Sequence, residues 1–238
     1  MIRLDKYLAD MGIGTRTEVK KYIRQGKIKV DGCVVKSPEI KIDESMQKIF
    51  YQDQLIGYEE FEYYMLHKPA GVISATEDKH DKTVIDLIAD KKRKDLFPVG
   101  RLDKDTEGLL LITNDGELAH RLLSPKKHVD KVYYAKIKGI VTEEDVIAFR
   151  EGVSLGQGEM AKPADLRILV SDEISEIELT IQEGKFHQVK RMFQSVGKEV
   201  LYLKRLSMGT LVLDKELPLG GYRPLTEDEL EKLQNQKG

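Results

Sequence analysis

The chain has 238 residues, of which 40% are hydrophobic and 34% charged, a composition typical of a folded protein with one mid-sized domain and one small domain. Its single cysteine, Cys33, excludes an internal disulfide framework and indicates a reducing compartment. No apolar run reaches the roughly 20 residues that cross a bilayer, and the first residues lack the apolar core of a secretory signal. We therefore expect a cytoplasmic protein without a membrane partner.

Positive charge is concentrated at the beginning of the chain. Residues 1–30 contain eight Lys or Arg and three acidic residues, a net charge of +5, so the remaining residues carry −7 within an overall charge of −2. A basic segment on an acidic body is typical of proteins that bind a polyanion such as a nucleic acid. A lysine-rich helix face exposed to solvent would give the same count, so charge alone leaves both interpretations open.

Two helices are predicted within the first 25 residues. Apolar residues at helical spacing from Leu4 to Met11 predict the first helix, and Gly12 ends it. Thr15 and Glu18 have the spacing of a capping box, which begins the second helix. The apolar residues of this second helix fall on one side, and its basic residues fall largely on the other.

A hairpin follows the second helix. Residues 28–30 alternate in the manner of a strand, and the Asp-Gly pair at 31–32 predicts a two-residue turn into a strand over 33–35. The order of helix, capped basic helix and turn over residues 2–35 resembles the S4 RNA-binding module. The resemblance implies contacts to RNA phosphates, which add affinity but little sequence discrimination, from four basic residues of the second helix: Arg16, Lys20, Lys21 and Arg24.

A domain boundary is predicted near residue 60, after a strand over 49–51 and a connector over 53–60. The S4-type domain then covers residues 1–60, and a second domain covers residues 61–238. In the second domain, strands are predicted over 61–66, 108–113, 129–137, 166–170, 176–181 and 200–206, and helices over 84–89, 117–123, 143–151, 187–196 and 227–233. Because short turns such as 114–116 separate several strands, we expect an α+β fold with a mixed or antiparallel sheet.

The segment over residues 98–116 contains the strongest candidate for chemistry. Three acidic residues, Asp103, Asp105 and Glu107, lie in a loop that leads directly into an apolar strand. The acids and the following glycine have the spacing of the first half of a calcium loop, but the twelfth position, where a bidentate Glu is needed, is Asn114. The calcium interpretation therefore fails. Two other interpretations of Asp103 remain: its carboxylate caps a turn, or it is a catalytic carboxylate at the edge of a sheet.

Four segments in chain order resemble the motifs of RsuA-type pseudouridine synthases. They are YMLHKPAG at 64–71, VGRLDKDTEGLLLITNDG at 99–116, KVY at 131–133 and EGKFHQVKRM at 183–192. The resemblance implies that Asp103 is the carboxylate that the chemistry requires and that Tyr133 packs against the target base. It also implies that Lys190 is the cation paired with Asp103, with Arg191 as the alternative partner.

The same resemblance implies further contacts to the RNA. Lys68, Arg101 and Arg191 belong to the matching segments, and we expect them to bind the RNA around the target nucleotide. Each residue could instead have a purely structural role. Lys68 could lie where an ordinary strand ends, Arg101 could brace its loop, and Arg191 could belong to a solvated helix face.

The implied reaction is the isomerisation of a uridine in structured RNA to pseudouridine. It breaks the bond from N1 to C1′ and joins C5 to C1′ without net oxidation, and a carboxylate can begin it by attack on C1′ or by another route. We expect neither a cofactor nor a metal, since the sequence shows no phosphate-cradling glycine motif and no metal-ligand spacing.

The expected substrate is 16S (small-subunit) ribosomal RNA, because the first 30 residues look closer to the small-subunit type. Large-subunit (23S) ribosomal RNA is the alternative substrate, and a non-catalytic RNA-binding protein of ribosome assembly is the alternative class. The expected partner is ribosomal RNA, free or within an assembling small-subunit particle, with no obligate protein partner.

Overall fold

A computed structural model describes residues 1–124 and 127–236, so residues 125–126 and 237–238 of the predicted second domain lie outside the described residues. The chain forms two compact units. One consists of Met1–Glu62 with Ala89–Leu96, and the other of Tyr63–Ile88 with Phe97–Gly238. The sequence placed a boundary near residue 60, but nothing in it indicated that Ala89–Leu96 belongs with the N-terminal unit. In the described ranges, no helix has the length and apolar character that a membrane span needs.

The N-terminal unit combines two short helices with two small sheets. Its elements are β1 (Ile2–Arg3), α1 (Leu4–Asp10), α2 (Arg16–Arg24), β2 (Ile28–Val30), β3 (Cys33–Val34), β4 (Lys41–Ile42), β5 (Ile49–Tyr51) and β6 (Gln54–Ile56). Strands β3, β2, β5 and β6 form an antiparallel sheet in that order, and β1 pairs with β4. Strand β6 lies in the segment that was predicted as a connector, so that prediction was wrong for Gln54–Ile56.

Local sequence signals explain the helices and the hairpin of this unit. The Thr15 hydroxyl accepts a hydrogen bond from the Glu18 amide, and the Glu18 carboxylate accepts one from the Thr15 amide, so the predicted capping box is confirmed. Asp31 and Gly32 have φ of 51° and 83°, the left-handed conformation that a tight turn between β2 and β3 requires. Val19 and Ile23 of α2 are fully buried against the apolar face of α1.

The second unit is built on one large sheet. Its elements are β7 (Tyr63–Lys68), β8 (Phe97–Pro98), β9 (Glu107–Thr113), α3 (Gly116–Leu123), β10 (Lys131–Lys138), α4 (Glu143–Glu151), β11 (Ser154–Gly156), β12 (Glu159–Met160), β13 (Asp165–Val170), β14 (Ile174–Ile181), α5 (Gln188–Ser195), β15 (Glu199–Met208), β16 (Leu211–Val212), β17 (Tyr222–Pro224) and α6 (Glu227–Asn235). The helix predicted over 84–89 is a single 3-10 turn, Ile85–Leu87.

The main sheet has the strand order β13-β14-β10-β15-β9-β7-β17, with β8 on β9 and β16 on β15. Only the pairing of β15 with β9 is parallel among the described strands, and the others in this sheet are antiparallel. The expected α+β fold with a mixed sheet is confirmed. Strand β9 is buried along nearly its whole length, and Leu109 and Leu111 pack with Leu118 and Leu122 of α3.

Strands β9 and β15 approach each other closely at Gly108. This glycine has φ of 107°, and a Cβ atom there would lie 2.2 Å from the main-chain oxygen of Arg205. Only glycine combines this backbone angle with the absence of a side chain. The loop before β9 is therefore fixed at the middle of the sheet, next to the strand β15 that also pairs with β10.

Candidate active site

The loop that carries Asp103 is held from beneath by Lys68 at the end of β7. The Lys68 ammonium donates to the main-chain oxygens of Asp103 (3.0 Å), Lys104 (3.3 Å) and Thr106 (2.9 Å), and to that of Pro69 (3.1 Å). Lys68 is fully buried, and burial lowers its pKa to about 8 against the opposing charges of nearby acidic residues. A side chain without exposed area does not reach RNA. The predicted RNA contact of Lys68 is therefore wrong, and its role in this structure is to hold the loop.

Two further contacts fix the same loop. The Ser74 hydroxyl donates to the Leu102 oxygen (2.8 Å) and accepts from the Leu102 amide (3.0 Å), and the Gly71 amide donates to the Lys104 oxygen (2.7 Å). Within the loop, the Thr106 amide donates to the Asp103 oxygen (3.0 Å). The main chain on both sides of Asp103 is thus anchored, which fixes the point in the site from which its side chain projects. Ser74 was missed at the sequence level, because its partner is 28 residues away.

The Asp103 carboxylate faces two basic side chains from the start of α5. The Lys190 ammonium lies 3.4 Å from one oxygen, and the His187 Nε2 atom lies 3.7 Å from the other. About a quarter of the Asp103 side chain, 26%, remains exposed. The carboxylate is therefore accessible to a substrate while it lies beside the positive charge of Lys190.

Lys190 also binds Asp105, and more closely. Its ammonium donates to both oxygens of the Asp105 carboxylate, at 2.7 and 2.8 Å. Burial alone would lower the pKa of Lys190, but the hydrogen bond to Asp105 and the charges of Asp103 and Asp105 outweigh it and raise this pKa. Conversely, Lys190 lowers the pKa of Asp105. Lys190 is therefore firmly charged at neutral pH and is shared between two carboxylates, a sharing that the sequence did not indicate.

The third acid of the loop has a different partner, since the Glu107 carboxylate accepts a hydrogen bond from the Tyr202 hydroxyl (2.7 Å). The three acids therefore do not converge on one point. Within residues 1–124 and 127–236, no group of three or more His, Cys, Asp or Glu side chains has the arrangement of a metal site.

A small pocket that is open to solvent lies beside Asp103. Asp103 and Lys190 lie at one side, and Tyr133 of β10 is among the residues that line it. The apolar part of the lining comes from three further side chains, Ile181, Val189 and Leu203. Tyr133 is 7% exposed, so its ring is part of the wall rather than a free surface group. The structure thus brings together in one pocket the three residues predicted to be catalytic, from segments 30 to 87 residues apart in the chain.

A wider groove adjoins the pocket and shares Arg101, Asp103 and His187 with it. Arg101 is exposed, and no side-chain hydrogen bond or ion pair of Arg101 occurs within the part of the chain that the structure describes. Lys131 also lines the groove, but it is buried, its ammonium donates to the Val129 oxygen (3.1 Å), and burial lowers its pKa to about 8. Arg101 is therefore placed to meet an anionic ligand, as its predicted RNA contact requires.

Arg191 does not pair with Asp103. Its guanidinium donates to the Leu155 oxygen (2.8 Å), the Phe186 oxygen (3.1 Å) and the Glu159 carboxylate (2.7 Å). The alternative of an Asp103–Arg191 pair is wrong, because these protein groups hold the guanidinium outside the pocket. Its predicted RNA contact has no support from this geometry, since Arg191 lines neither the pocket nor the groove.

The four predicted RNA contacts of the N-terminal unit all lie on α2. Arg16 and Lys20 lie 3.8 Å from the buried carboxylate of Asp5, which Arg3 also binds, and the hydrogen bond from Arg3 contributes most to lowering the pKa of Asp5. Lys21 and Arg24 are exposed, with no ion pair to the residues described. Half of the predicted basic surface is thus partly neutralised by Asp5, and the other half faces solvent.

The site on this fold is a partly exposed carboxylate beside a lysine, in a pocket that an aromatic ring and apolar side chains line. The model of the RNA pseudouridylate synthase family matches residues 62–195, and that of the S4 domain matches residues 2–48. The chain belongs to the RNA pseudouridylate synthase family and is an isomerase of that class. Both resemblances expected from the motifs are therefore confirmed.

Close relatives match the chain along almost its full length. It is 49% identical over 234 residues to an uncharacterised RNA pseudouridine synthase of Bacillus subtilis, with 98% of each chain covered. It is 42% identical over 234 residues to the ribosomal small subunit pseudouridine synthase A of Haemophilus influenzae (98% and 99% covered). It is also 42% identical over 237 residues to the ribosomal large subunit pseudouridine synthase B of Bacillus subtilis (98% and 96% covered).

A solved structure has the same fold. The crystal structure of a pseudouridylate synthase, 41% identical, covers 98% of this chain and 100% of its own, with a TM-score of 0.68. The likeness extends over both units of the chain.

Proposed function

We propose that this protein isomerises one uridine of 16S ribosomal RNA to pseudouridine in the cytoplasm, with Asp103 as the essential catalytic residue. The observation that carries the proposal is the exposed edge of the Asp103 carboxylate, which lies 3.4 Å from Lys190 at a pocket that Tyr133 lines. The reaction detaches uracil at N1, rotates it, and rejoins it to the ribose through C5. All atoms of the substrate are retained, so the enzyme needs only to position, stabilise and move one proton.

Several residues of the pocket have a part in this chemistry. The Asp103 carboxylate, which lies beside the Lys190 ammonium, attacks C1′ or begins another route to the cleaved glycosidic bond. The Tyr133 ring offers a flat face on which the detached uracil can turn, and apolar side chains such as Leu203 keep water from the reactive centre. After the new bond forms, the proton on C5 must leave and N1 must gain a proton. We propose that the Tyr133 hydroxyl relays it, accepting the proton from C5 as it gives its own to water, from which N1 is protonated.

The target uridine must leave its stack before it reaches this pocket. Arg101, which borders both the pocket and the groove, is placed to hold a phosphate next to the flipped nucleotide. Lys21 and Arg24 of the S4 domain supply further phosphate contacts, assisted by Arg16 and Lys20. Such contacts read the shape of a structured RNA more than its sequence.

Small-subunit RNA is favoured because several of the relatives are named as small-subunit enzymes, at 36% to 42% identity over at least 96% of this chain. Large-subunit RNA is the second candidate, because the large-subunit enzyme of Bacillus subtilis is as similar, at 42%. Substrate choice within the family therefore needs a direct measurement. We propose that the RNA is bound free or within an assembling small-subunit particle, without an obligate protein partner.

The deciding experiment maps every pseudouridine of 16S and 23S RNA in cells that lack this protein. The strain is complemented with the wild type, with Asp103→Asn, and with Asp165→Asn as a control that removes an exposed carboxylate from β13. We expect one 16S site to disappear and to return with the wild type and the control, but not with Asp103→Asn. A lost 23S site would establish the second candidate.

Two results would overturn the proposal. If all pseudouridines of both RNAs persist in the deletion strain, the protein does not act on ribosomal RNA. If Asp103→Asn restores the lost site completely, the assignment of Asp103 is wrong and the family chemistry resides elsewhere.

A further inference from the structure

One aromatic side chain in the groove beside Asp103 is left open to solvent. Phe186 is 72% exposed, and its ring is stacked on the His187 imidazole, with 3.8 Å between ring centroids and 19° between planes. Both residues line the groove. His187 in turn lies 3.7 Å from the Asp103 carboxylate. The two stacked rings therefore form a flat aromatic surface next to the Asp103 carboxylate.

The main chain under Phe186 and His187 is fixed. The Gln188 side chain accepts a hydrogen bond from the Lys185 amide (2.9 Å) and donates to the Glu183 carboxylate (2.7 Å), while Arg191 donates to the Phe186 oxygen (3.1 Å). His187 has φ of 48°, a left-handed conformation that is uncommon for residues other than glycine. Such a conformation persists only where the surroundings hold it, and it is enriched at binding sites.

The charge next to Phe186 indicates what can cover it. Two exposed basic side chains of the groove differ in their partners. Lys104 binds Asp81 (2.7 Å), whereas Arg101 has no ion pair with any acidic residue that the structure describes. An exposed aromatic ring combined with an available cation is the combination that proteins use to bind unpaired nucleic-acid strands. A base inside a duplex has both faces covered by its neighbours, so only an unstacked base can lie on Phe186.

We propose that Phe186 stacks on the nucleobase adjacent to the target uridine, so that the enzyme selects a site where this neighbour is also free of its helix. His187 is the positioning residue that holds the Phe186 ring from behind. This inference rests on the proposed function and adds a requirement on the substrate: two adjacent nucleotides, rather than one, leave the RNA stack. Phe186 thereby contributes to the choice of site, while Asp103 performs the chemistry.

The test uses a synthetic RNA fragment that carries the uridine identified by the mapping experiment. Isomerisation is measured in single turnover with the wild type, Phe186→Ala, Phe186→Trp, and Leu201→Ala as a control. Leu201 is a half-exposed apolar residue of β15 outside the pocket and the groove. When an aromatic residue that stacks on one base is truncated to alanine, affinity for the nucleic acid typically falls by roughly 10-fold or more. We expect a loss of about 10-fold in kcat/KM for Phe186→Ala, near wild-type values for Phe186→Trp, and no loss for the control.

A second arm separates stacking from a merely structural effect. In two further fragments, the base on the 5′ or the 3′ side of the target is removed to leave an abasic nucleotide. One of these should cost the wild type about as much as Phe186→Ala does, and the two changes together should cost no more than either alone, because they remove the same contact. Thermal unfolding of each variant shows whether the fold is retained.

The results distinguish this inference from the function on which it rests. If the wild type modifies the fragment and Phe186→Ala does so equally well, Phe186 does not bind a neighbouring base. If neither abasic fragment is impaired, or if both losses multiply, the stacking contact is also refuted. If the wild type modifies no ribosomal RNA, the proposed function fails first, and this inference fails with it.

Discussion

Replacement of Lys68 by Met removes the ammonium beneath the catalytic loop while it keeps most of the buried volume. Three main-chain oxygens of the loop, those of Asp103, Lys104 and Thr106, then lose the hydrogen bond that Lys68 donates. Hydrogen bonds from a charged donor contribute about 1.5–3 kcal/mol each, so roughly 5–9 kcal/mol of interaction disappears. The chain no longer buries a charge, however, and the fall of the Lys68 pKa from 10.5 to about 8 corresponds to roughly 3 kcal/mol that is recovered.

The consequences for folding and for catalysis therefore differ. Thr106 is buried, but Asp103 is partly exposed and Lys104 is exposed, so the main-chain oxygens of these two residues can partly exchange the ammonium for water. We therefore expect the free energy of unfolding to fall by at most about 3 kcal/mol. Catalysis depends on the position of the Asp103 carboxylate, and displacement by about 1 Å costs on the order of 100-fold. Lys68→Met should thus lower kcat about 100-fold in a protein that still folds.

Steady-state isomerisation of the synthetic fragment measures kcat, and urea unfolding followed by circular dichroism measures stability. Lys215→Met serves as the control, since Lys215 is an exposed lysine that lines neither the pocket nor the groove. If Lys68→Met keeps its kcat, then the hydrogen bonds to the loop do not position Asp103, and the reasoning is refuted. If the variant is unfolded without urea, Lys68 is needed for the fold rather than for the loop.

Three other outcomes are expected. Activity should decline above pH 8 as Lys68 loses its proton, because the pKa of Lys68 is about 8 whereas that of Lys190 is raised. The free energy of unfolding should not fall over the same range. The pKa of Lys68 is lower in the folded than in the unfolded chain, so the contribution of Lys68 to stability rises between pH 8 and 10.5. A pH–rate profile in which Lys68→Met keeps the same alkaline decline would contradict this. Tyr133→Phe should retain RNA affinity but lose rate in single turnover, whereas Tyr133→Ala should also lose about 3 kcal/mol of stability in urea, and equal rates for Tyr133→Phe and the wild type would exclude the hydroxyl as proton acceptor. Lys21→Ala and Arg24→Ala should each weaken RNA binding and reduce the slope of log K against log salt by about 1, and an unchanged slope in a salt titration would show that these side chains do not contact phosphates.

Local signals were sufficient for most helices and strands. Helix α4 begins and ends at Glu143 and Glu151 as predicted, because a capping box precedes it and Gly152 ends it. The order of four motifs was likewise sufficient to predict that Asp103, Tyr133 and Lys190 lie at one site, and all three line one pocket. In these cases, the contacts that form the element lie within a few residues of each other in the chain, or the residues of the site belong to motifs that can each be recognised in the sequence.

Long-range contacts account for what the sequence did not indicate. Lys68 looked like one more cation for RNA, and only the folded chain shows that four main-chain oxygens surround it. Arg191 follows Lys190 directly, yet one step along a helix turns it by about 100° toward Glu159. The association of Ala89–Leu96 with the N-terminal unit depends on contacts with residues far earlier in the chain, such as the Arg93–Glu62 hydrogen bond.

The anchoring of the loop by Lys68 and Ser74 also determines which partner must change shape when enzyme and RNA meet. A backbone held at Leu102, Asp103, Lys104 and Thr106 cannot fold over the substrate as a mobile lid would. The rearrangement then belongs to the RNA, which must open its own helix to deliver the uridine. The uridine that is modified should consequently be the one that its surroundings release most readily, and the local stability of the RNA acts as part of the recognition.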